Sequence, residues 1–224
     1  MGLHTGRVFD GGDPLVPLGI AAAVVAGFAV APWVVSLFAP TRRPGTELRE
    51  QLESLPGAPA PARVRVVTGG RGEAVDAFAV GVFPGAEYVY VTEGLLASFD
   101  AEESAAVLAH EAGHLRLGHL RRRCAAAGLA GVTWAVVAGS VSAVGPLVAT
   151  VGFAGCLLAV VLALGVRHEY AADRFAAERT GRDATLRALR SLERSTTASR
   201  APAPLDRLSA RAWLRRRIAR LRVE

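Results

Sequence analysis

From Gly128 to Val166 the chain runs 39 residues without a charged side chain, and a second uncharged run covers Leu15 to Ala39. In a chain where 21% of residues are charged, runs of this length mark lipid-facing helices rather than the interior of a soluble domain. Hydrophobic residues make up 51% and mean hydropathy is +0.31, with that surplus concentrated in the two runs. The pattern disfavours an ordinary soluble enzyme and predicts an integral membrane protein.

A helix needs about 20 residues to cross about 30 Å of hydrocarbon. Leu15–Ala39 fits one crossing, with Pro17 near its start and Pro32 as an expected kink. Gly128–Val166 is too long for one crossing and divides at Gly145-Pro146, which predicts a tight hairpin of spans over about 128–144 and 147–166. The flank before the first span holds Arg7 against Asp10 and Asp13, and the apolar run exceeds a signal-peptide core, so a retained span is expected. Arg42 and Arg43 follow the first span, Arg121, Arg122 and Arg123 precede the second, and Arg167 follows the third. By the positive-inside rule, residues 41–127 and 167–224 are cytoplasmic and the N-terminus is outside, which predicts a multi-pass protein of the inner (plasma) membrane.

The organisation expected is therefore an N-terminal segment with the first span (1–40), a first cytoplasmic part (41–127), the membrane hairpin (128–166) and a second cytoplasmic part with a basic tail (167–224). There are 26 basic and 20 acidic residues, and every basic one is Arg, a bias that reads mainly as codon background. Cys124 and Cys156 suggest no disulfide framework.

Residues 46–55 read as a short amphipathic helix, followed by a Pro/Gly/Ala linker from Pro56 to Ala62. Three β-rich runs follow, Arg63–Thr68, Ala77–Phe83 and Glu87–Thr92, with Pro84-Gly85 as a turn, and a small antiparallel sheet is expected. Asp100 with Glu103 forms a capping-box pattern that opens a helix running toward Arg121. His168 to about Arg179 and Asp183 to Arg194 are helical in pattern, and 195–206 reads as a mobile loop.

The chemistry lies in His110-Glu111-Ala112-Gly113-His114. Residues four apart on a helix point the same way, so His110 and His114 can hold one zinc ion through neutral imidazoles. Glu111, one step around, can serve as the catalytic proton carrier. Gly113 costs helix stability, and a small residue there admits a neighbouring helix closely. A third ligand is expected. His119 lies about 180° from His110 on an unbroken helix and is rejected. Glu169 follows the third span and returns to the same side as the motif. With Asp173 four residues on, it could merely solvate a helix leaving the membrane, but beside the His-Glu motif the ligand reading is preferred, with Asp173 accepting a hydrogen bond from a ligand histidine. His168 points about 100° away from Glu169 and reads as an outer neighbour or an interfacial residue.

Four stretches in order resemble the M48 family of membrane-bound zinc metallopeptidases: Asp76-Ala-Phe-Ala-Val-Gly81, Tyr88-Val-Tyr-Val-Thr-Glu-Gly-Leu-Leu96, Val107–His114 with Gly118-His119, and Arg167-His-Glu-Tyr-Ala-Ala-Asp173. The resemblance, over about residues 46–195, implies an α+β membrane protein. Its peptidase domain would be mainly helical and gluzincin-type, with a small antiparallel sheet and about three transmembrane helices. It further implies one catalytic zinc held by His110, His114 and Glu169, with Glu111 as base. Two departures stand out. Asp76 replaces the usual Asn, and where many relatives have a His-Pro pair before an Arg-Ile segment this chain has Arg211-Ala-Trp213 before Arg217-Ile218.

From Arg207 to Glu224 there are seven Arg against one Glu, and Leu208, Ala212, Leu214, Ile218 and Leu221 form an apolar stripe. Two readings stand level: an interfacial helix on anionic lipid, and a closing helix of the peptidase domain. No nucleic-acid motif accompanies the charge. The expected activity is hydrolysis of a polypeptide substrate at the bilayer, drawn from membrane-associated or misfolded proteins as the family implies. The substrate is expected to lie along an edge strand near Tyr88–Thr92. The alternatives are a signal-transducing metallopeptidase of the M56 type, against which the Asp76–Gly81 segment argues, and a non-catalytic zinc-binding membrane protein.

Overall fold

The computed structural model describes residues 15–54, 60, 63–70, 73–140, 146–198 and 204–223. In chain order the elements are α1 (Leu15–Phe38), β1 (Thr41–Arg42), α2 (Thr46–Ser54), β2 (Val64–Val67), β3 (Ala77–Val80), β4 (Tyr88–Thr92), α3 (Glu93–Ser98), α4 (Ala101–Arg116), α5 (His119–Ser140), α6 (Pro146–Thr180), α7 (Arg182–Ala198) and α8 (Pro204–Val223). The hairpin tip at Gly145 and all of the 56–62 linker except Ala60 lie outside the described residues.

The chain divides into two compact units. One takes residues up to 28 and 121–165, and holds the first part of α1, nearly all of α5 and the first part of α6, where the sequence has its uncharged runs. Among the described residues no helix is long and apolar enough to cross a membrane, so the three expected spans stand on the sequence alone.

The other unit, residues 29–120 and 166–224, holds the sheet and its covering helices. Its strand order is β1-β2-β4-β3. The sheet is mixed, which corrects the antiparallel expectation. β3 and β4 form an antiparallel hairpin, with Val80 opposite Tyr88, but β4 returns into the gap beside β2 and pairs with it in parallel, Val64 opposite Val89. Local turn signals give the hairpin; strand order depends on which edge the returning strand joins, and a sequence pattern does not encode that. β3 is consequently an edge strand, whereas Tyr88–Thr92, expected at the edge, lies inside the sheet.

Side chains alternate across a strand. Val64, Val66, Val89 and Val91, all fully buried, face one core together with Leu95, Leu108 and Val107. Tyr90 and Val67 point to the opposite face, where Ala39 and Val35 cover them and Phe78 stacks on Tyr90 at 5.3 Å. Each fully buried valine contributes roughly 1.5–3 kcal/mol, so this face fixes α4 against the sheet.

α4 starts where the sequence predicts. The Asp100 carboxylate accepts from the Glu103 backbone N–H at 2.7 Å, and the Asp100 N–H donates to the Glu103 carboxylate at 3.3 Å. Ser191 of α7 also donates to Glu103, at 2.7 Å, tying the helix start to the neighbouring helix. Part of the expected loop at 195–206 is helical instead, since α7 continues to Ala198 and α8 begins at Pro204; residues 199–203 lie outside the described residues. Leu214, Ile218 and Leu221 of α8 are buried with Leu186 and Leu189 of α7. These three members of the apolar stripe are therefore covered by protein, which favours the closing-helix reading, while Ala212 of the same stripe is exposed.

Candidate metal centre

α4 carries His110, Glu111 and His114, which offer nitrogen and oxygen atoms all within 4.8 Å of one another. The Nε2 atoms of His110 and His114 lie 3.1 Å apart. Glu169 on α6 faces them both, with Oε2 3.4 Å from His110 Nε2 and Oε1 3.5 Å from His114 Nε2. A tetrahedral zinc site with bonds of about 2.0–2.1 Å separates its ligand atoms by about 3.3–3.4 Å. The two imidazole nitrogens stand near the corner spacing of such a site and each faces one oxygen of the Glu169 carboxylate at a similar distance; two imidazoles with one carboxylate are a donor set zinc accepts.

Gly113 makes this approach possible. A Cβ on it would meet Phe175 Cδ1 at 3.2 Å and Ala172 Cα at 3.3 Å, so α6 crosses α4 where α4 has no side chain. That crossing puts Glu169 and Asp173, one turn apart on α6, against the histidine face.

Asp173 sits behind His110, with Oδ1 2.9 Å from its Nδ1. Arg217 of α8 completes the arrangement. Its Nε donates to Asp173 Oδ2 at 2.8 Å, its Nη2 to Oδ1 at 2.6 Å, and its Nη1 lies 3.1 Å from Glu169 Oε2. The sequence reading missed this arginine. The available signal was its register, since Leu214, Arg217, Ile218 and Leu221 follow the i, i+3, i+4, i+7 spacing of a buried stripe, and Arg217 is 8% exposed within it. A charge at a core position of an amphipathic helix requires a buried partner.

The electrostatics follow from these contacts. Burial alone would raise the Glu169 carboxyl, but hydrogen bonding to His110 and the charges of His110, Arg217 and His114 bring it down to about 2. Asp173 is likewise held well below the usual carboxylate range, because Arg217 and His110 outweigh its burial. For His110, burial and the Arg217 charge oppose protonation, but the hydrogen bonds to Asp173 and Glu169 prevail and raise it to about 9. Carboxylates that favour a proton on this imidazole also favour a metal cation in its place. Glu111 behaves in the opposite way. Burial lifts it to about 7, the carboxylates of Glu169 and Asp76 add to the rise, and the charge of His110 and the Ala79 backbone N–H, which donates to it, oppose it. Ala79 belongs to β3, so the proton-carrying candidate lies beside the edge strand.

His119 does not face away from the motif. The expectation assumed an unbroken helix, but α4 ends at Arg116, and Gly118 takes a left-handed conformation (φ 68°) before α5 begins at His119. This turn swings the ring back, so that its Nδ1 lies 3.0 Å from Nδ1 of His114, on the side of that imidazole away from Glu169. His168 stacks on His119 with ring centres 4.1 Å apart and planes 8° from parallel. Both are buried.

A histidine pair facing a glutamate, with a second glutamate of raised pKa beside an edge strand, is an arrangement suited to metal-dependent hydrolysis. The model of Peptidase family M48 matches residues 46–215, well over half of the chain, and the chain belongs to that metallopeptidase family. Membership in M48 disposes of the M56 alternative. No curated protein matches the chain. Among solved structures, the crystal structure of S. mikatae Ste24p is similar in fold, with a TM-score of 0.66 and 18% sequence identity over 92% of this chain. The similarity covers 57% of the Ste24p chain, so this protein spans little more than half its length.

Proposed function

We propose that the protein is a membrane-bound, zinc-dependent endopeptidase that hydrolyses peptide bonds of membrane-associated or misfolded proteins. The observation that carries this reading is the convergence of His110, His114 and the Glu169 carboxylate at 3.1–3.5 Å from one another, with Glu111 alongside. These donors would hold one zinc ion, which when bound supplies Lewis acidity and acidifies a water. Glu111, pushed up to about 7, is suited to take a proton near neutral pH and return it to a leaving amine. Asp173, fixed by Arg217, holds the His110 ring so that its Nε2 faces Glu169 and His114.

An extended substrate segment would add to the outer side of β3, the last strand in the sheet order, rather than to β4, which already has strands on both sides. Backbone pairing of this kind accepts many sequences, as clearance of misfolded chains demands. Membrane attachment, multi-pass topology and a cytoplasmic active site rest on the two uncharged runs and the Arg clusters flanking them.

The test is the zinc content of detergent-purified protein, wild type beside Glu169→Ala, with casein cleavage measured on the same samples. About one zinc per chain and chelator-sensitive cleavage, both lost in the variant, support the reading. Zinc retained in full by Glu169→Ala removes Glu169 from the site. Zinc without cleavage of any polypeptide overturns the enzyme in favour of a structural or sensing metal.

A further inference from the structure

The two histidines of the motif are backed by different chemistry. Behind His110 stands a carboxylate, Asp173, itself fixed by Arg217. The group behind His114 is another imidazole, that of His119, at 3.0 Å between Nδ1 atoms. Only one of those two nitrogens can carry the shared proton. The Nε2 of His114 faces Glu169 and His110, so in a metal-bound site it must present a lone pair, and the imidazole proton is left on Nδ1. His119 Nδ1 must then accept, with its own proton on Nε2. In the opposite tautomer, with His119 donating, His114 would carry its proton on Nε2 and could not bind metal.

We infer that His119 is the positioning residue of the second metal-binding histidine: a neutral acceptor that fixes the ring plane and tautomer of His114. The inference rests on the metal-site reading above. Three features of the fold support it. The left-handed turn at Gly118 is what carries His119 to His114, since an uninterrupted α4 would point it elsewhere. His119 is 1% exposed, so water does not compete for the acceptor. Finally, the ring lies flat on His168 at 4.1 Å, which fixes its plane and leaves Nδ1 aimed along the His114 ring edge. The site thus has a charged anchor on one ligand and a neutral one on the other. A neutral acceptor orients His114 while adding less negative charge around the metal than a second carboxylate would.

The test separates the acceptor from the ring. His119→Phe keeps an aromatic face against His168 and removes the acceptor; His119→Asn loses the ring but places an amide oxygen where Nδ1 stood. Zinc dissociation constants are read by competition with a chromophoric chelator on detergent-purified protein, and the visible spectrum of the cobalt-substituted form reports ligand geometry. Melting of the metal-free proteins serves as the fold control. We expect His119→Phe to weaken zinc binding about 10–100-fold and to alter the cobalt spectrum, and His119→Asn to stay within a few-fold of wild type. Wild-type zinc affinity in His119→Phe overturns the inference, as does equal weakening in both variants. A wild-type protein that binds zinc no better than Glu169→Ala overturns the metal-site reading itself, a result distinct from either of those.

Discussion

Arg217 holds Asp173 through two hydrogen bonds of 2.6 and 2.8 Å, and the same guanidinium lies 3.1 Å from Glu169. One side chain from α8 therefore fixes both the residue behind His110 and a candidate ligand. Its removal leaves a buried carboxylate without its cation, and breaking such a pair costs roughly 3–5 kcal/mol. Arg217→Ala is expected to lower the melting temperature and to weaken zinc binding about 10–100-fold. Arg217→Lys restores charge without the planar fork and should fall between the two. Chelator competition and thermal melting on the same samples check this; a full return of zinc affinity in Arg217→Lys would show that charge alone matters there.

Glu111→Gln separates holding the metal from moving the proton. The amide is isosteric and cannot carry a proton, so zinc content should remain at the wild-type level. The rate of peptide cleavage should drop by at least about 100-fold, in the range typical of a lost general base. Metal analysis beside a fluorogenic peptide assay gives both readouts. Loss of zinc together with activity would instead make Glu111 part of the metal-holding set.

The crossing of α4 and α6 depends on Gly113. Atoms of Phe175 and Ala172 lie 3.2 and 3.3 Å from where its Cβ would be, so a leucine side chain has no room. Gly113→Leu should push α6 off α4 and carry Glu169 away from the two histidines. The expected signature is loss of zinc with helical content retained by circular dichroism, because leucine favours the helix more than glycine does. Retention of zinc would mean that α6 slides rather than separates.

How much of this was legible in the sequence follows from the range of each interaction. The capping box of α4, the shared face of His110 and His114 and the pairing of Glu169 with Asp173 are set within one or two helical turns, where spacing fixes direction. His119 was misplaced because a uniform period was carried through Gly118, whose left-handed φ of 68° turns the chain. Arg217 was hidden among the other arginines of its tail; its position within the apolar stripe, rather than its charge, set it apart. The parallel pairing of β2 with β4 depends on strand order, which no local pattern carries.

Thr92 joins the edge strand to the sheet interior. Its buried hydroxyl accepts from the Asp76 backbone N–H at 3.0 Å, donates to the Asp76 carbonyl at 3.0 Å and accepts from the Leu95 N–H at 3.2 Å, where it caps α3. Thr92→Val keeps the shape and deprives the Asp76 and Leu95 N–H groups of this acceptor, while the Asp76 carbonyl keeps the backbone N–H of residue 92. Unsatisfied buried groups cost about 1–3 kcal/mol, so a lower melting temperature is expected. Thr92 bonds the backbone at the entry to β3 and is none of the metal-donor candidates, so the functional effect should fall on substrate capture. The Michaelis constant for a long polypeptide should rise several-fold, with zinc content and turnover at saturation nearly unchanged. A steady-state comparison of a long and a short peptide checks this. An unchanged Michaelis constant for the long one, alongside the lowered stability, would remove β3 from the proposed path of the substrate.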